Sequence, residues 1–263
     1  MKITVLCENT SARADMTPEH GLSLYVQTDR HKLLFDMGQT DAFWHNAERL
    51  GIDLKDVDIA VLSHGHYDHG GGLAYFLEHN QKAKVYINEH AFGAYYNASE
   101  NYIGLDSALK NNDRVVLAGD RVVIDEELSL YSCNDRLRSR ETAHYGLSVM
   151  EKDTLLPDSF LHEQYLLVQD GDKQVLFSGC AHKGVLNIAR WFAPDVFVGG
   201  FHFMKLDPDT EDRKVLQQAA QELMTHPTVY YTGHCTGITQ YNFLKEVMGV
   251  QLHAISTGDT LHL

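Results

Sequence analysis

Proline is scarce in this chain, 5 among 263 residues, and no tract is rich in Pro or Ser, so extended proline-rich architectures and flexible linkers are excluded. The four cysteines, Cys7, Cys133, Cys180 and Cys235, lack any CxxC spacing. That scatter excludes a disulfide framework and a zinc knuckle and leaves reduced thiols as the simplest state. No apolar run approaches the roughly 18 residues that cross a bilayer, and the opening MKITVLCENT lacks the apolar stretch of about 7 to 15 residues found in a secretion signal. A cytoplasmic protein with no membrane partner is therefore expected. Basic charge is also in deficit: 22 Lys and Arg stand against 36 Asp and Glu, a formal net charge of −14. A clamp for the nucleic-acid backbone needs the opposite surface, so no nucleic-acid partner is expected, and the basic stretch NDRLRSR at 134–140 is read as a solvated loop. Phosphate-cradling GxxxxGK and GxGxxG runs are missing, and nothing identifies a catalytic Ser or Cys triad.

What the chain has is the composition of a globular protein, 44% hydrophobic and 22% charged, enough for a sizeable core. Short β-branched runs at 2–7, 22–27, 32–36, 57–62, 84–88, 114–117, 121–124, 165–169, 174–178, 195–199, 228–232 and 252–256 predict strands. Helical periodicity predicts helices at 40–50, 70–79, 183–193, 210–226 and 238–248, the fourth closed by Pro227. The strands cluster in hairpins rather than alternating strictly with helices. This mixture points to an α+β class with two mixed sheets packed face to face and helices on the outer faces. Residues 1–263 read as one domain, with 97–160 the least regular part and the place to expect an insertion covering a substrate.

The stretch VLSHGHYDHGGG at 61–72 sets three histidines and an aspartate within six positions behind an apolar strand. Alternate side chains of an extended segment share a side, so His64 and His66 reach one ion. Asp68 and His69, at the turn into the next helix, address a second ion beside it. Gly65 and Gly70 to Gly72 are expected to let the backbone bend closely round the metals through dihedral angles that other residues avoid. Imidazole and carboxylate ligands suit zinc best, with manganese or iron as alternatives. Further ligands must arrive from distant segments. His182 after KQVLFSGCAH, His234 after TVYYTGH and His162 in DSFLHEQ ahead of the strand YLLVQ are the candidates, all at strand ends. His202 in VGGFHF and His20 in EHGLS, with similar glycine neighbours, are candidates to face the substrate or support the ligands. His31, His79, His90, His226 and His262 read as structural or surface residues.

HGHYDHGGG, preceded by LLFDMG and followed by FSGCAH and YTGHCTG, resembles the metallo-β-lactamase superfamily, whose signature is His-x-His-x-Asp-His. ENTS, HGLSLYV, SHGHYDHGGGL, FSGCAHKGVLNI, GGFH and YTGHCTG are similar to its branch of dihydropterin-ribofuranosylaminobenzene phosphate synthase-like proteins. The resemblance spans nearly the whole chain and implies an αββα sandwich. It also implies that His64 and His66 hold a first metal, that Asp68, His69 and His234 hold a second, and that Asp36 supports the metal loop by hydrogen bonds. The middle histidine of the superfamily should precede a strand, as His162 does. The place of the bridging aspartate falls to Cys180, a departure that supplies a thiolate, shifts the load to His182 or weakens the second site.

Two divalent ions so held imply a hydrolase that turns a bound water into hydroxide near neutral pH and uses it on a small-molecule ester, lactone, amide or phosphoester. Asp68 then orients the nucleophile and His202 protonates the leaving group. His66 stands where the oxygen-reducing diiron relatives carry Glu, which argues against redox iron chemistry. One alternative is a dihydropterin-related synthase or transferase, with Tyr95, Tyr96, Tyr102, Phe201 and Phe203 as a stacking wall and Lys183 and Arg138 or Arg140 as cations facing the metals. Another is a non-catalytic metal-binding or redox-sensing protein using Cys180 and Cys235, which requires a reactive thiol of depressed pKa.

Overall fold

A computed structural model of the chain describes residues 1–140, 142 and 144–263. The first half runs β1 (Lys2–Cys7), β2 (Ser23–Gln27), β3 (Lys32–Phe35), α1 (Ala42–Arg49), β4 (Ile59–Leu62), the single turn α2 (Tyr67–Gly70), α3 (Leu73–His79) and β5 (Lys84–Asn88). The middle holds β6 (Tyr95–Tyr96), β7 (Val115–Ala118), β8 (Arg121–Val123), β9 (Leu128–Tyr131), β10 (Ser148–Glu151) and β11 (Thr154–Pro157). The second half runs β12 (Tyr165–Asp170), β13 (Lys173–Phe177), α4 (Val185–Phe192), β14 (Val196–Val198), α5 (Asp212–Leu223), β15 (Val229–Thr232), α6 (Ile238–Met248), β16 (Leu252–Ala254) and β17 (Thr260–His262).

One seven-stranded sheet has the order β17-β1-β2-β3-β4-β5-β7 and the other β16-β15-β14-β13-β12-β9-β8. Each is mixed. In the first, β3, β4, β5 and β7 run parallel and the remaining pairs antiparallel. In the second, β13 to β16 run parallel, with antiparallel pairing on the other side. Sequence periodicity fits the layers. β4, IAVL, is buried at every position because a parallel central strand is covered on both faces. The buried residues of α5 are Leu216, Ala219, Ala220 and Leu223, one stripe at helical spacing.

The core has three layers. Val5, Phe35 and Val61 of the first sheet meet Leu166, Phe177 and Val198 of the second, with the Phe35 and Phe177 rings 5.6 Å apart. Trp44 and Phe76 of α1 and α3 pack on the outside of the first sheet, and Ile188, Leu216 and Leu244 of α4, α5 and α6 on the outside of the second. Each fully buried aromatic or aliphatic side chain contributes about 1.5–3 kcal/mol. The αββα sandwich of an α+β protein follows, as the strand and helix pattern predicted.

Residues 97–160 are more regular than expected. β7 joins the first sheet, β8 and β9 join the second, and β10 and β11 pair with β6 in a separate three-stranded sheet. Short strands such as β9 and β10 escaped notice because four residues carry too little alternation to stand out. The expected helix at 70–79 divides into α2 and α3, and that at 210–226 stops at Leu223, four residues before Pro227. Among the described residues no helix is long and apolar enough to cross a membrane.

Candidate metal centre

The carboxyl ends of the parallel strands meet at one edge of the sandwich, and the loops leaving them carry the histidines. β4 leads into Ser63, His64 and His66, and α2 presents Asp68 and His69. β13 leads to Cys180 and His182, β14 to His202 and β15 to His234. Ligating atoms of His64, His66 and His182 lie within 4.8 Å of one another, and so do those of Asp68, His69, Cys180 and His234. All seven side chains are buried.

Hydrogen bonds from behind fix which ring nitrogen of His69, His64 and His234 faces inward. His69 Nδ1 donates to Asp36 Oδ2 at 2.6 Å, leaving Nε2 turned to the cluster. The Ser63 hydroxyl donates to Asp36 Oδ2 and therefore accepts from His64 Nδ1 at 2.8 Å, which again leaves Nε2 inward. His234 Nδ1 donates to Asn9 Oδ1 at 2.9 Å. Potential ligand atoms then face one another: His69 Nε2 is 3.1 Å from His234 Nε2 and 3.2 Å from Cys180 Sγ, and His182 Nε2 is 3.3 Å from His64 Nε2. His66 Nε2 and His182 Nδ1 have no hydrogen-bond partner. Crowded imidazoles with unpartnered nitrogens in a buried site, beside a pocket that favours positive charge, are stabilised by a shared cation, so this donor set fits divalent metal ions.

The charge states agree with that fit. Burial, reinforced by the neighbouring imidazoles, holds His64 and His182 far below the ordinary histidine range, and burial pushes His66 down to about 3. These three rings stay neutral with lone pairs exposed. Burial opposes ionisation of Asp68, yet His69 and His234 outweigh it and keep the carboxylate ionised. Burial likewise disfavours charge on His69, but Asp36 and Asp68 lift it to about 9, so the pocket between these acids and Cys180 favours positive charge.

The remaining sequence candidates occupy distinct places. His162 has both ring nitrogens engaged, Nδ1 accepting the Gly65 amide at 2.9 Å and Nε2 donating to Asp158 at 3.0 Å. With His66 and Asp158 it forms a further close group at the edge of the cluster. His202 lies beside Cys180 and His182, with its Nδ1 unpartnered and its ring stacked on Tyr145. His20 is half-exposed, 3.5 Å from Asp68 and with its ring 4.8 Å from that of His234. Lys183 does not face the metals. It is fully buried, and its ammonium donates to the Ser132 and Glu163 carbonyls because no water reaches it. Arg138 donates to the Ser159 carbonyl and Arg140 to Glu222, so the expected cluster of cations over the metals is not formed. Of the proposed aromatic wall, Tyr95 packs against His162 with ring centroids 4.1 Å apart, while Tyr96 and Tyr102 pair with each other.

Several positioning residues gave no signal in the sequence. Glu8 accepts the His234 amide at 2.6 Å, and Glu163 accepts the His182 and Lys183 amides at 2.6 and 2.9 Å. Asn9 and Glu8 lie in ENTS, which marked the family branch without disclosing a role. Asp36, Ala181, His202 and His234 adopt left-handed backbone, with φ of 59°, 57°, 57° and 49°. Such conformations cost on the order of 1–3 kcal/mol each and gather where a site dictates the backbone. The motif glycines act otherwise than expected. Gly71 and Gly72 have ordinary φ of −61° and −75°, and glycine is required instead by crowding, since a Cβ on Gly65 would lie 2.1 Å from the Ala91 carbonyl oxygen.

A cavity of about 780 Å³ opens beside the cluster, and His182 and His202 form part of its lining together with Phe201, Phe203, Leu206 and Val215.

Comparison with known proteins agrees with this geometry. The structure of Tm1679, a metal-dependent hydrolase of the beta-lactamase superfamily, is 29% identical and superposes with a TM-score of 0.83, covering 100% of this chain and 99% of that one. An uncharacterised protein of Methanocaldococcus jannaschii, MJ0448, is 26% identical over 93% of this chain and 94% of its own. The 7,8-dihydropterin-6-methyl-4-(beta-D-ribofuranosyl)-aminobenzene-5'-phosphate synthase of the same organism is 23% identical over 98% of this chain and 95% of its own. Residues 16–234 match the family model of the metallo-beta-lactamase superfamily, and the chain belongs to that superfamily.

Proposed function

We propose that the protein is a dinuclear metal-dependent hydrolase acting on a small molecule with an ester, lactone, amide or phosphoester bond. The observation that carries this reading is the pair of inward-facing donor groups beside an open cavity. In it, His64, His66 and His182 hold one ion, and Asp68, His69, Cys180 and His234 the other. The imidazole-rich set with one thiol favours zinc over manganese or iron. His182, and not His162, completes the three-histidine group, because both nitrogens of His162 are spent on Gly65 and Asp158. Bound divalent ions would lower the pKa of a water toward neutrality and polarise the scissile carbonyl or phosphoryl group.

The residues do the rest. Asp68, held ionised, accepts a hydrogen bond from the attacking water and aligns it. His202 presents an unpartnered ring nitrogen at the cavity wall, and burial lowers its pKa to about 4, so the neutral ring is set to hydrogen-bond the substrate there rather than to deliver a proton at neutral pH. His20 steadies Asp68 from the solvent side.

A synthase role is the second reading and rests on the M. jannaschii relative. It loses support from Lys183, Arg138 and Arg140, none of which faces the cluster. A redox-sensing role requires an accessible thiolate. Cys180 and Cys235 are each 3% exposed, and burial pushes the Cys180 thiol upward.

The deciding experiment is elemental analysis of purified protein combined with a panel of chromogenic esters, lactones, amides and phosphoesters. About two metals per chain and turnover abolished by a chelator support the hydrolase. A single metal or none defeats the two-metal reading, and two metals with no hydrolysis, but condensation of a pterin substrate, would establish the synthase.

A further inference from the structure

The cavity that reaches His182 and His202 has a second, differently built end. Arg140 and Arg190 line it together with Glu222, between α4 and α5. Glu222 accepts from Arg140 Nε and Nη2 at 3.0 and 2.6 Å and from Arg190 Nη2 at 3.1 Å, while Arg190 Nη1 donates to the Ser139 hydroxyl at 3.0 Å. Among the described residues Glu222 is the one carboxylate paired with these two guanidinium groups, in a chain whose formal net charge is −14. Both arginine side chains are about half exposed, 53% and 51%, while Glu222 is 20% exposed, so the guanidinium groups are reached by solvent rather than sealed in a closed ion pair. The same cavity is lined by apolar Phe203, Leu206, Val215 and Ala219 beside polar Gln218 and Gln221.

We infer that this cavity selects substrates with an anionic tail, a carboxylate or phosphate seated on Arg140 and Arg190, joined through an apolar body to the bond that reaches His182 and His202. The inference rests on the hydrolase reading for the reacting end only. Planar guanidinium groups match carboxylate and phosphate oxygens in paired hydrogen bonds, and two of them converging on one point are set for a second anion beside Glu222 or in its place. The apolar walls leave the body of the ligand to be recognised by burial. Glu222 then acts as an internal competitor that holds both arginines in position before the ligand arrives.

The test is isothermal titration of the metal-loaded protein with biphenyl-4-acetate, its neutral amide and phenyl phosphate, none of which has to be turned over. The acetate should bind on the order of tenfold tighter than the amide, with the gap narrowing as salt is raised. Arg140→Ala/Arg190→Ala should erase that gap while leaving amide affinity unchanged. Glu222→Gln should strengthen binding of both anions several-fold, a gain that mere loss of structure cannot produce. Equal affinity of acetate and amide for the wild type overturns the inference. So does a preference that survives the double arginine variant, because the anion then sits on the metals. Phenyl phosphate binding more tightly than the acetate assigns the tail as phosphate, and the reverse as carboxylate. Failure of the esterase panel would remove the hydrolase reading and leave these binding results intact.

Discussion

His69 shows what one residue contributes to the site. Its Nδ1 is spent on Asp36 and its Nε2 points at Cys180 and His234, so its orientation is set by a carboxylate thirty-three positions away. Asn9 plays the same part for His234. Loss of such supporting hydrogen bonds typically weakens metal binding about 10–100-fold. Asn9→Ala should therefore show a metal affinity reduced to that extent in competition with a chromogenic chelator; unchanged affinity would show that His234 is held by other means. His182 and His162 separate in a second measurement. His182→Ala should lose about one metal per chain by elemental analysis, whereas His162→Ala should retain its metals and lose about 1–3 kcal/mol of stability through the orphaned Gly65 and Asp158 groups. Metal loss in His162→Ala alone would reverse the assignment. HGHYDHGGG marked four of the clustered side chains from sequence. His182 and His162 stayed equivalent there because each merely adjoined a strand, and only hydrogen bonding distinguishes them.

At the scale of elements, the loop after β4 is pressed against the backbone of Ala91, three residues beyond the end of β5. Gly65→Ala would drive a methyl group to 2.1 Å from that carbonyl oxygen. Overpacking of this kind costs about 1–3 kcal/mol, and here it also displaces His64 and His66. Denaturant titration should show the lower midpoint together with reduced metal content, and a variant with both unchanged would show that the loop yields freely. The elements themselves were largely visible as apolar periodicity: α5 ends where its stripe ends, and β4 is a continuous apolar run because both of its faces are covered. Short strands were missed, and the extent of regular structure in 97–160 with them, because β9 and β10 gain their order from pairing with β12 and β11 rather than from their own pattern.

Across the whole molecule the two sheets are also clamped at their surface. His31, in the turn between β2 and β3, donates through Nδ1 to Asp58 at 2.9 Å and through Nε2 to Asp125 of the β8–β9 turn at 2.6 Å. Burial disfavours its charge, but the two carboxylates outweigh burial and raise its pKa above the ordinary 6.5. A group whose folded pKa is raised stabilises fully below the unfolded value and loses that contribution as pH climbs through the folded value. The melting-temperature gap between wild type and His31→Asn should accordingly be widest below about pH 6.5 and close as pH rises. A gap constant across that range would mean that His31 is not charged in the clamp. Metal removal acts on the same scale: a chelator should lower the melting temperature, because ions bound only to the folded chain stabilise it by mass action, and an unchanged melting temperature would mean that the ligands are not assembled around a cation. The sequence by itself determined the fold class, the outer helices and the local grouping of His64, His66, Asp68 and His69, because apolar periodicity and motif spacing are properties of adjacent residues. Only the tertiary structure decided that His182 joins the cluster, that Lys183 is buried away from it, and that Arg140 and Arg190 converge on one cavity. Those relations link strands and helices distant along the chain, and their distances exist only once the two sheets have packed.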